Sequence, residues 1–310
     1  MIFSKFCFRA FALGLTLIIS IAAPASDSGY KTIELETFPG QKPVTIAALA
    51  DKPIYLKFWA TWCKPCMEQM PHFQKIAEKY ADDLNVVAVN ININEEKARI
   101  QQVIQRFGLT MPVWLDNEGE LGVALGLVGT PYSVLIDQNG QVIYTTHSAD
   151  GDLDKRLAML AAGQTPSIDP TGAPQTDQAA ERLGPWQTGE HLVFFTATWC
   201  DWYLADTRPE MARRCETAQE SLKSVYQRLP DMPWQGVVNH LWTDEKALNK
   251  FQKRYDTPIG FRIDHGGVLF NHFSIRDIPT LLWIKEGEVV ERITNFKNTE
   301  EIIKRLRPRQ

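Results

Sequence analysis

A buried strand that leads directly into two closely spaced cysteines constrains the fold of this chain most. The largely apolar segment Pro53–Ala60 predicts a buried strand, and helical spacing begins at the cysteines that follow it. In the motif Cys63-Lys64-Pro65-Cys66 the first sulfur therefore lies at a helix N-terminus, where unpaired N–H groups and the helix dipole stabilise a thiolate. Cys66, one turn later, can attack a mixed disulfide formed on Cys63. The spacing predicts a redox-active cysteine pair.

Two structural roles compete with redox chemistry for these cysteines: a static disulfide and half of a zinc site. A zinc site needs a second pair of ligands, and no other C-x-x-C or H-x-x-x-H motif occurs in the sequence. A static disulfide does not require the position between a strand and a helix. We therefore expect neither a metal nor a cofactor. Lys64 places a positive charge next to Cys63, which lowers a thiol pKa and favours oxidant behaviour.

The first 25 residues have the pattern of a secretory signal peptide. Lys5 and Arg9 precede the apolar run Ala10–Ala22, and Ala23-Pro24-Ala25 fits a cleavage site. Cleavage at residue 25 would give a periplasmic protein, whereas an uncleaved segment would anchor it to the membrane. Residues 26–310 would keep four cysteines, an even number that suits an oxidising compartment. The net charge of −4 gives no indication of a nucleic-acid partner.

A proline-rich and glycine-rich segment at residues 163–178 divides the chain. Such a composition cannot bury enough apolar surface to fold, so we interpret it as a linker between domains at 26–162 and 179–310. Both domains show the same order of predicted strands and helices. The segment Phe195–Cys200, FTATWC, repeats the segment before the first cysteine pair at an offset of 137 residues. Strands that alternate with helices and end in a hairpin predict, in each domain, a central mixed sheet flanked by helices, an α/β fold.

The motif FWATWCKPC, together with MPVWLDNEGELGVALGLVGTPYSVLIDQNGQVI, resembles the TlpA/ResA branch of the thioredoxin superfamily over about residues 30–160. Members of this branch are exported bacterial thiol–disulfide oxidoreductases. The resemblance implies that Cys63 is the attacking thiol and Cys66 the resolving thiol. It also implies that Thr130 and a cis-Pro131 form the surface on which the bound substrate chain rests. From its position in the motif, we expect Trp62 to cover apolar surface beside the sulfur.

The resemblance further implies an acidic residue near the cysteine pair, for which Glu95 and Glu96 are the candidates. Each could equally be a solvated residue in the first turn of a helix. Lys57 occupies a strand position where relatives often carry a small polar or acidic proton carrier, so the route of proton transfer stays open. The implied partners are disulfide-containing exported proteins and a DsbD-type membrane electron donor, with reduction of protein disulfides as the favoured direction.

The second half resembles the same superfamily more weakly, with Pro279 as its expected cis-proline. Its motif places Tyr203 where a resolving cysteine would stand. The lone Cys200 could pair with Cys215 if Arg208 and Pro209 interrupt the intervening helix; otherwise Cys215 is a buried helix residue.

We expect this degenerate thioredoxin-like domain to position a substrate or partner, which makes the chain two tandem thioredoxin-like domains. A non-catalytic binding or chaperone module and a thiol-dependent peroxidase are the alternative functions.

Overall fold

The computed structural model describes residues 29–167 and 183–306. The predicted signal peptide and most of the predicted linker lie outside these ranges. Within them, no helix combines the length and the apolar character that crossing a membrane requires.

Residues 29–167 form a mixed sheet with helices packed against it. The strands are β1 Leu35–Phe38, β2 Pro43–Val44, β3 Ile54–Trp59, β4 Asn85–Asn90, β5 Val113–Leu115, β6 Tyr132–Ile136 and β7 Val142–Thr146. Their order in the sheet is β2-β1-β5-β4-β3-β6-β7. The helices are α1 Lys64–Lys79, α2 Lys97–Phe107, α3 Glu120–Ala124 and α4 Gly151–Ala161.

The central strand of this sheet is buried along its whole length, which explains its apolar sequence. β3 pairs in parallel with β4 and antiparallel with β6, and all six of its residues are buried. A strand covered on both faces must be almost continuously apolar. Its end leads into α1, whose N-cap is Cys63 and whose first turn contains Pro65, a position where no N–H partner is needed.

Residues 183–306 repeat this architecture. The strands are β8 Glu190–Thr196, β9 Trp234–Asn239, β10 Phe261–Asp264, β11 Thr280–Lys285 and β12 Glu288–Ile293, and the helices are α5 Pro209–Arg228, α6 Glu245–Tyr255, α7 Val268–His272 and α8 Thr299–Arg305. The order β10-β9-β8-β11-β12 matches β5-β4-β3-β6-β7 strand for strand, with the same parallel and antiparallel pairs. The expected α/β fold with two mixed sheets is confirmed.

Two short helices, α3 and α7, occupy equivalent places and were not predicted from the sequence. Each follows a buried aspartate at or next to a strand end: Asp116 accepts hydrogen bonds from the N–H groups of Leu121 and Gly122, and Asp264 from those of two α7 residues. Burial raises the pKa of Asp116 to about 6. Five residues are too few for a helical period to show in a sequence, so only the tertiary structure reveals these helices.

The helix after Cys200 begins only at Pro209, as the Arg208-Pro209 step predicted. The intervening residues form turns instead of a continuous helix, and this brings Cys215 back toward the end of β8. Cys200 and Cys215 form a disulfide with a Cα–Cα distance of 6.0 Å, and both residues are buried. This disulfide connects the β8–α5 loop to the second turn of α5.

We expect replacement of Cys200 and Cys215 by alanine to lower the free energy of unfolding of the second domain by about 3 kcal/mol, because a closed loop of about this length restricts the unfolded chain. Alanine avoids burying two hydroxyl groups. Urea unfolding of the double variant, compared with the oxidised wild-type chain, measures the loss. Equal unfolding midpoints would show that this bridge contributes nothing to stability.

Candidate active site

The two cysteines of the first domain form a disulfide at the start of α1. Their Cα atoms are 5.2 Å apart, and Cys63 Sγ accepts a hydrogen bond of 3.2 Å from the backbone N–H of Cys66. After reduction, this N–H group and the positive end of the helix would stabilise negative charge on the same sulfur. The local geometry therefore suits a thiolate at Cys63.

The cis-proline predicted for the first domain lies at the same end of the sheet as the cysteine pair. The Thr130–Pro131 peptide bond is cis and immediately precedes β6, whose Tyr132 pairs with Phe58 of β3. The carbonyl oxygen of Pro131 lies 2.7 Å from Nδ1 of His147, a contact that the sequence did not indicate.

In the second domain the Ile278–Pro279 bond is also cis and immediately precedes β11, which pairs with β8. The two domains therefore carry equivalent proline loops.

Glu95 lies in the loop between β4 and α2, since α2 begins only at Lys97; it is not the first-turn helix residue of the solvated alternative. Its carboxylate accepts hydrogen bonds of 2.6 Å from both N–H and Oγ1 of Thr61 and one of 3.0 Å from Nδ2 of Asn90. Burial raises the pKa of Glu95, and these hydrogen bonds, with the nearby Arg208, oppose that rise. Glu96 is exposed and caps α2 without a side-chain hydrogen bond. Glu95 thus holds the loop that leads into Cys63.

Lys57 is fully buried in β3 and does not extend to solvent. Its Nζ donates to Oε1 of Gln69, on the helix turn after Cys66, and to Oγ of Ser133 on β6. Both acceptors are uncharged, and burial lowers the pKa of Lys57 to about 8. Gln69 in turn donates to the carbonyl oxygen of His147.

The second domain packs against Trp62, the residue before Cys63, through a group of aromatic residues, here called the aromatic cluster: Trp62, Trp199, Tyr203 and Trp242. Trp62 and Trp199 occupy equivalent positions in the two domains and stack with ring centroids 5.0 Å apart. Trp242 packs edge-on against both of them. Cys63 and Cys66 both have 0% relative exposure. The sequence did not predict this coverage.

Tyr203, which stands where the first domain has its resolving cysteine, belongs to this contact. Its ring packs edge-on against Trp62 at 6.4 Å. Burial raises the pKa of Tyr203, and a hydrogen bond from the backbone N–H of Lys64 opposes that rise. Lys64 is the first residue of α1, so the tyrosine hydroxyl reaches the start of the helix that carries the cysteine pair.

Backbone hydrogen bonds join the two domains in reciprocal pairs. The N–H of Asn94 donates to the carbonyl oxygen of Arg276, and the N–H of Trp242 donates to that of Val128, each at 2.9 Å. The same offset of 148 residues relates Asn94 to Trp242 and Val128 to Arg276. The contact is therefore the intramolecular counterpart of an isologous dimer interface, in which equivalent surfaces meet around a two-fold axis.

The side chain of Asn94 forms two hydrogen bonds with the backbone of Ile278, the residue before the second cis-proline. Its Oδ1 accepts a hydrogen bond of 2.7 Å from the N–H of Ile278, and its Nδ2 donates to the carbonyl oxygen of the same residue at 3.3 Å. An amide side chain thus makes the pair of contacts that an added peptide strand would make. A side chain of the first domain therefore occupies the backbone hydrogen-bonding groups at the proline loop of the second domain.

A cavity of about 440 Å³ lies at the junction of the domains, next to Trp62 and Lys64, the two residues that flank Cys63. Four of its lining side chains are cationic, among them Lys64 and Arg208. Nη2 of Arg208 donates to O and Oγ1 of Thr61, the residue that also donates to Glu95. The full lining is Thr61, Trp62, Lys64, Met67, Arg99, Gln102, Val103, Arg106, Thr207 and Arg208.

Comparison with known proteins shows that the first domain is similar to redox proteins. The family described as Redoxin matches residues 24–158. Thiol-disulfide oxidoreductase ResA of Geobacillus thermodenitrificans is 36% identical over 111 residues, which cover 35% of this chain and 63% of the relative. Thioredoxin-like protein YneN of Bacillus subtilis is 33% identical over 109 residues, with the same two coverages. The chain thus spans less than two thirds of the length of these relatives.

Among solved structures, StoA from Bacillus subtilis is 25% identical, covers 41% of this chain and 95% of its own, and gives a TM-score of 0.35.

Lys57 makes the stability of the first domain depend on pH. Between about pH 8 and its ordinary pKa of 10.5, the unfolded chain holds a proton on Lys57 that the folded chain has released. Stability from this residue therefore rises with pH in that window, by at most about 1.4 kcal/mol per pH unit. We expect Lys57→Met to remove the rise. Urea unfolding of both oxidised proteins from pH 7 to 10 measures it; parallel pH profiles would contradict the assignment.

Proposed function

We propose that this chain, whose first domain is a TlpA/ResA-like domain of the thioredoxin superfamily, exchanges electrons with protein disulfides through Cys63 and Cys66. The observation that carries this proposal is the hydrogen bond from the Cys66 N–H to Cys63 Sγ at the first turn of α1. It places one sulfur where a thiolate is stabilised and the second within bonding distance of it.

The exchange proceeds in two displacement steps. The thiolate of Cys63 attacks one sulfur of a substrate disulfide, the substrate S–S bond breaks, and the departing thiolate takes up a proton. Cys66 then loses its proton and attacks Cys63 Sγ, which releases the second substrate thiolate and leaves the Cys63–Cys66 disulfide. The second thiolate also takes up a proton. The substrate gains the two electrons that the cysteine pair loses; of the two protons it takes up, one is balanced by the proton released when the Cys63 thiolate formed and the other by the proton of Cys66.

We infer the reducing direction, with disulfide-containing exported proteins as substrates and a DsbD-type membrane protein as the source of electrons. The N-terminal pattern of Lys5, Arg9 and the apolar run Ala10–Ala22 supports export to the periplasm. Lys64, exposed beside Cys63, favours the thiolate and so weakens the reducing power of the pair. A redox titration of the pair against glutathione fixes the direction.

Glu95 is the group that we assign to proton transfer at this site. It is partly buried, it accepts hydrogen bonds from both the N–H and the hydroxyl of Thr61, and Thr61 lies two residues before Cys63. A carboxyl group whose pKa is raised can hold a proton nearer to neutral pH than an exposed glutamate can. Lys57, with a pKa of about 8, is a second buried group beside α1 that can exchange a proton near neutral pH.

The second domain contributes to the site by its contact with the first. Tyr203 and Trp242 lie against Trp62, and Arg208 binds Thr61. These contacts support a role in positioning a substrate or partner at Cys63. A disulfide with Cys215 leaves Cys200 no free thiol for exchange.

The cysteine variants separate catalysis from the two alternative functions. We expect Cys63→Ser to abolish insulin reduction, because the attacking thiolate is lost. Cys66→Ser should instead accumulate a mixed disulfide on Cys63, which mass spectrometry detects. Cys200→Ala with Cys215→Ala is the matched control and should retain turnover.

A binding or chaperone module would keep its function in the Cys63→Ser variant, and a peroxidase would consume peroxide with a thiol donor. Insulin reduction that persists in the Cys63→Ser variant would refute the proposed role of Cys63. So would loss of turnover in the Cys200→Ala, Cys215→Ala control alone.

Glu95→Gln tests the proton-transfer role. We expect it to lower kcat for insulin reduction by about a hundredfold and to flatten the pH dependence of kcat, while KM stays unchanged. Glu96→Gln, the exposed neighbour, is the matched control. If both variants keep the wild-type pH profile, Glu95 only holds the loop at Thr61.

A further inference from the structure

We propose that the second domain closes the substrate face of the first, so that exchange at Cys63 requires the two domains to separate. This inference rests on the proposed function, because it concerns access to the same cysteine pair. It goes beyond a positioning role: the second domain holds the place that a substrate polypeptide would take.

The burial of the sulfurs is the first argument. A thiolate must meet a substrate disulfide in line with its S–S bond, yet Cys63 has no exposed surface and Trp62 beside it is 1% exposed. Trp62, next to Cys63 in the chain, is covered by the second domain, since it stacks on Trp199 and contacts Tyr203 and Trp242. A folded protein substrate cannot reach the sulfur while these contacts persist.

The occupied proline loops are the second argument. Trp242 pairs through its backbone with Val128, three residues before cis-Pro131, and its ring lies against Gly129. A Cβ atom at Gly129 would lie 2.6 Å from the indole nitrogen, so the two surfaces touch without a gap. On the other side of the contact, the side chain of Asn94 occupies the backbone N–H and carbonyl groups of Ile278 with hydrogen bonds. Each domain therefore blocks the loop with which the other would hold an extended chain.

The third argument is the exchange of a cysteine for an aromatic residue at position 203. A resolving cysteine there would be small and would leave Trp62 partly uncovered. Tyr203 fills that space and reaches Lys64 at the start of α1. The residue that removes redox chemistry from the second domain thus adds contact area to the cover.

The edge of the contact between the domains is polar. Part of the surface that separation would expose is therefore polar as well. Ser274 Oγ donates to the carboxylate of Glu118 at 2.8 Å, and both residues are exposed. The segment 163–178 joins the domains, so an opened second domain would stay at high effective concentration and close again. A minor open population would then set the observed rate of exchange.

Alkylation of Cys63 in the dithiol form measures access directly. The full-length chain is reduced, mixed with iodoacetamide or with a bulky maleimide polymer, and the modified Cys63 peptide is quantified over time. We expect Trp242→Ala to raise the rate with the bulky reagent about tenfold over the wild-type chain. Asn94→Gly, which suits the φ of 52° at that position, should act in the same direction.

Trp202→Ala is the matched control for these variants. Trp202 belongs to the same loop as Tyr203 but is 57% exposed, and its ring N–H bonds to Thr198 of its own domain. Its alkylation rate should equal that of the wild-type chain. Equal rates in all four proteins would overturn the proposal.

A covalent cross-link between the domains tests whether preventing their separation slows the reaction of Cys63. Glu118→Cys and Ser274→Cys, at the exposed edge, are joined with dibromobimane, which forms thioethers that thiols do not reduce, while Cys63 and Cys66 are oxidised. After reduction of that pair, we expect alkylation of Cys63 and turnover of insulin to fall at least about tenfold relative to the unclamped double variant. A clamped protein that reacts at the unclamped rate would overturn the proposal.

The two proposals fail differently. If the proposed function is wrong, the unclamped chain does not reduce insulin and the Cys63–Cys66 pair does not equilibrate with a glutathione buffer. If only the closure is wrong, the pair equilibrates and turns over equally in clamped and unclamped protein.

Discussion

The stack of Trp62 on Trp199 is the contact on which the environment of the site depends. Equivalent loops of two similar folds meet there, and the reciprocal bonds at Asn94 and Trp242 fix their orientation. The stack lies next to Cys63, and both sulfurs of the cysteine pair are buried. Electrostatic interactions are stronger in such a place than in water.

Burial also determines the behaviour of the two ionisable groups of the site. Lys57 is surrounded by uncharged acceptors, so its neutral form is favoured, and Glu95 is desolvated but held by three hydrogen bonds. Both groups are linked to α1 or to the loop before it, through Gln69 and Thr61. Arg208 extends that linkage into the second domain, so the position of this domain bears on the protonation of Glu95.

The second domain keeps the fold while its chemistry has changed. Its strand order, its cis-proline and its aspartate-capped short helix all match the first domain. Cys200 is tied to α5 by Cys215, and Tyr203 faces the partner domain in place of a second thiol. A fold of this kind can therefore serve as a complementary surface, because the proline loops of the two domains contact each other.

The sequence by itself determined the local features: the strand that ends at Cys63, the helix that begins there, the alternation that predicts two mixed sheets, and the break at Pro209. Each depends on neighbours within one turn or one strand, where apolar periodicity and proline geometry act. Only the tertiary structure decided that Cys63 is covered, that Asn94 lies on Ile278, and that Lys57 finds neutral partners. Apart from the contact of Lys57 with Gln69, those outcomes join residues more than 70 positions apart, through surfaces whose complementarity no local pattern records.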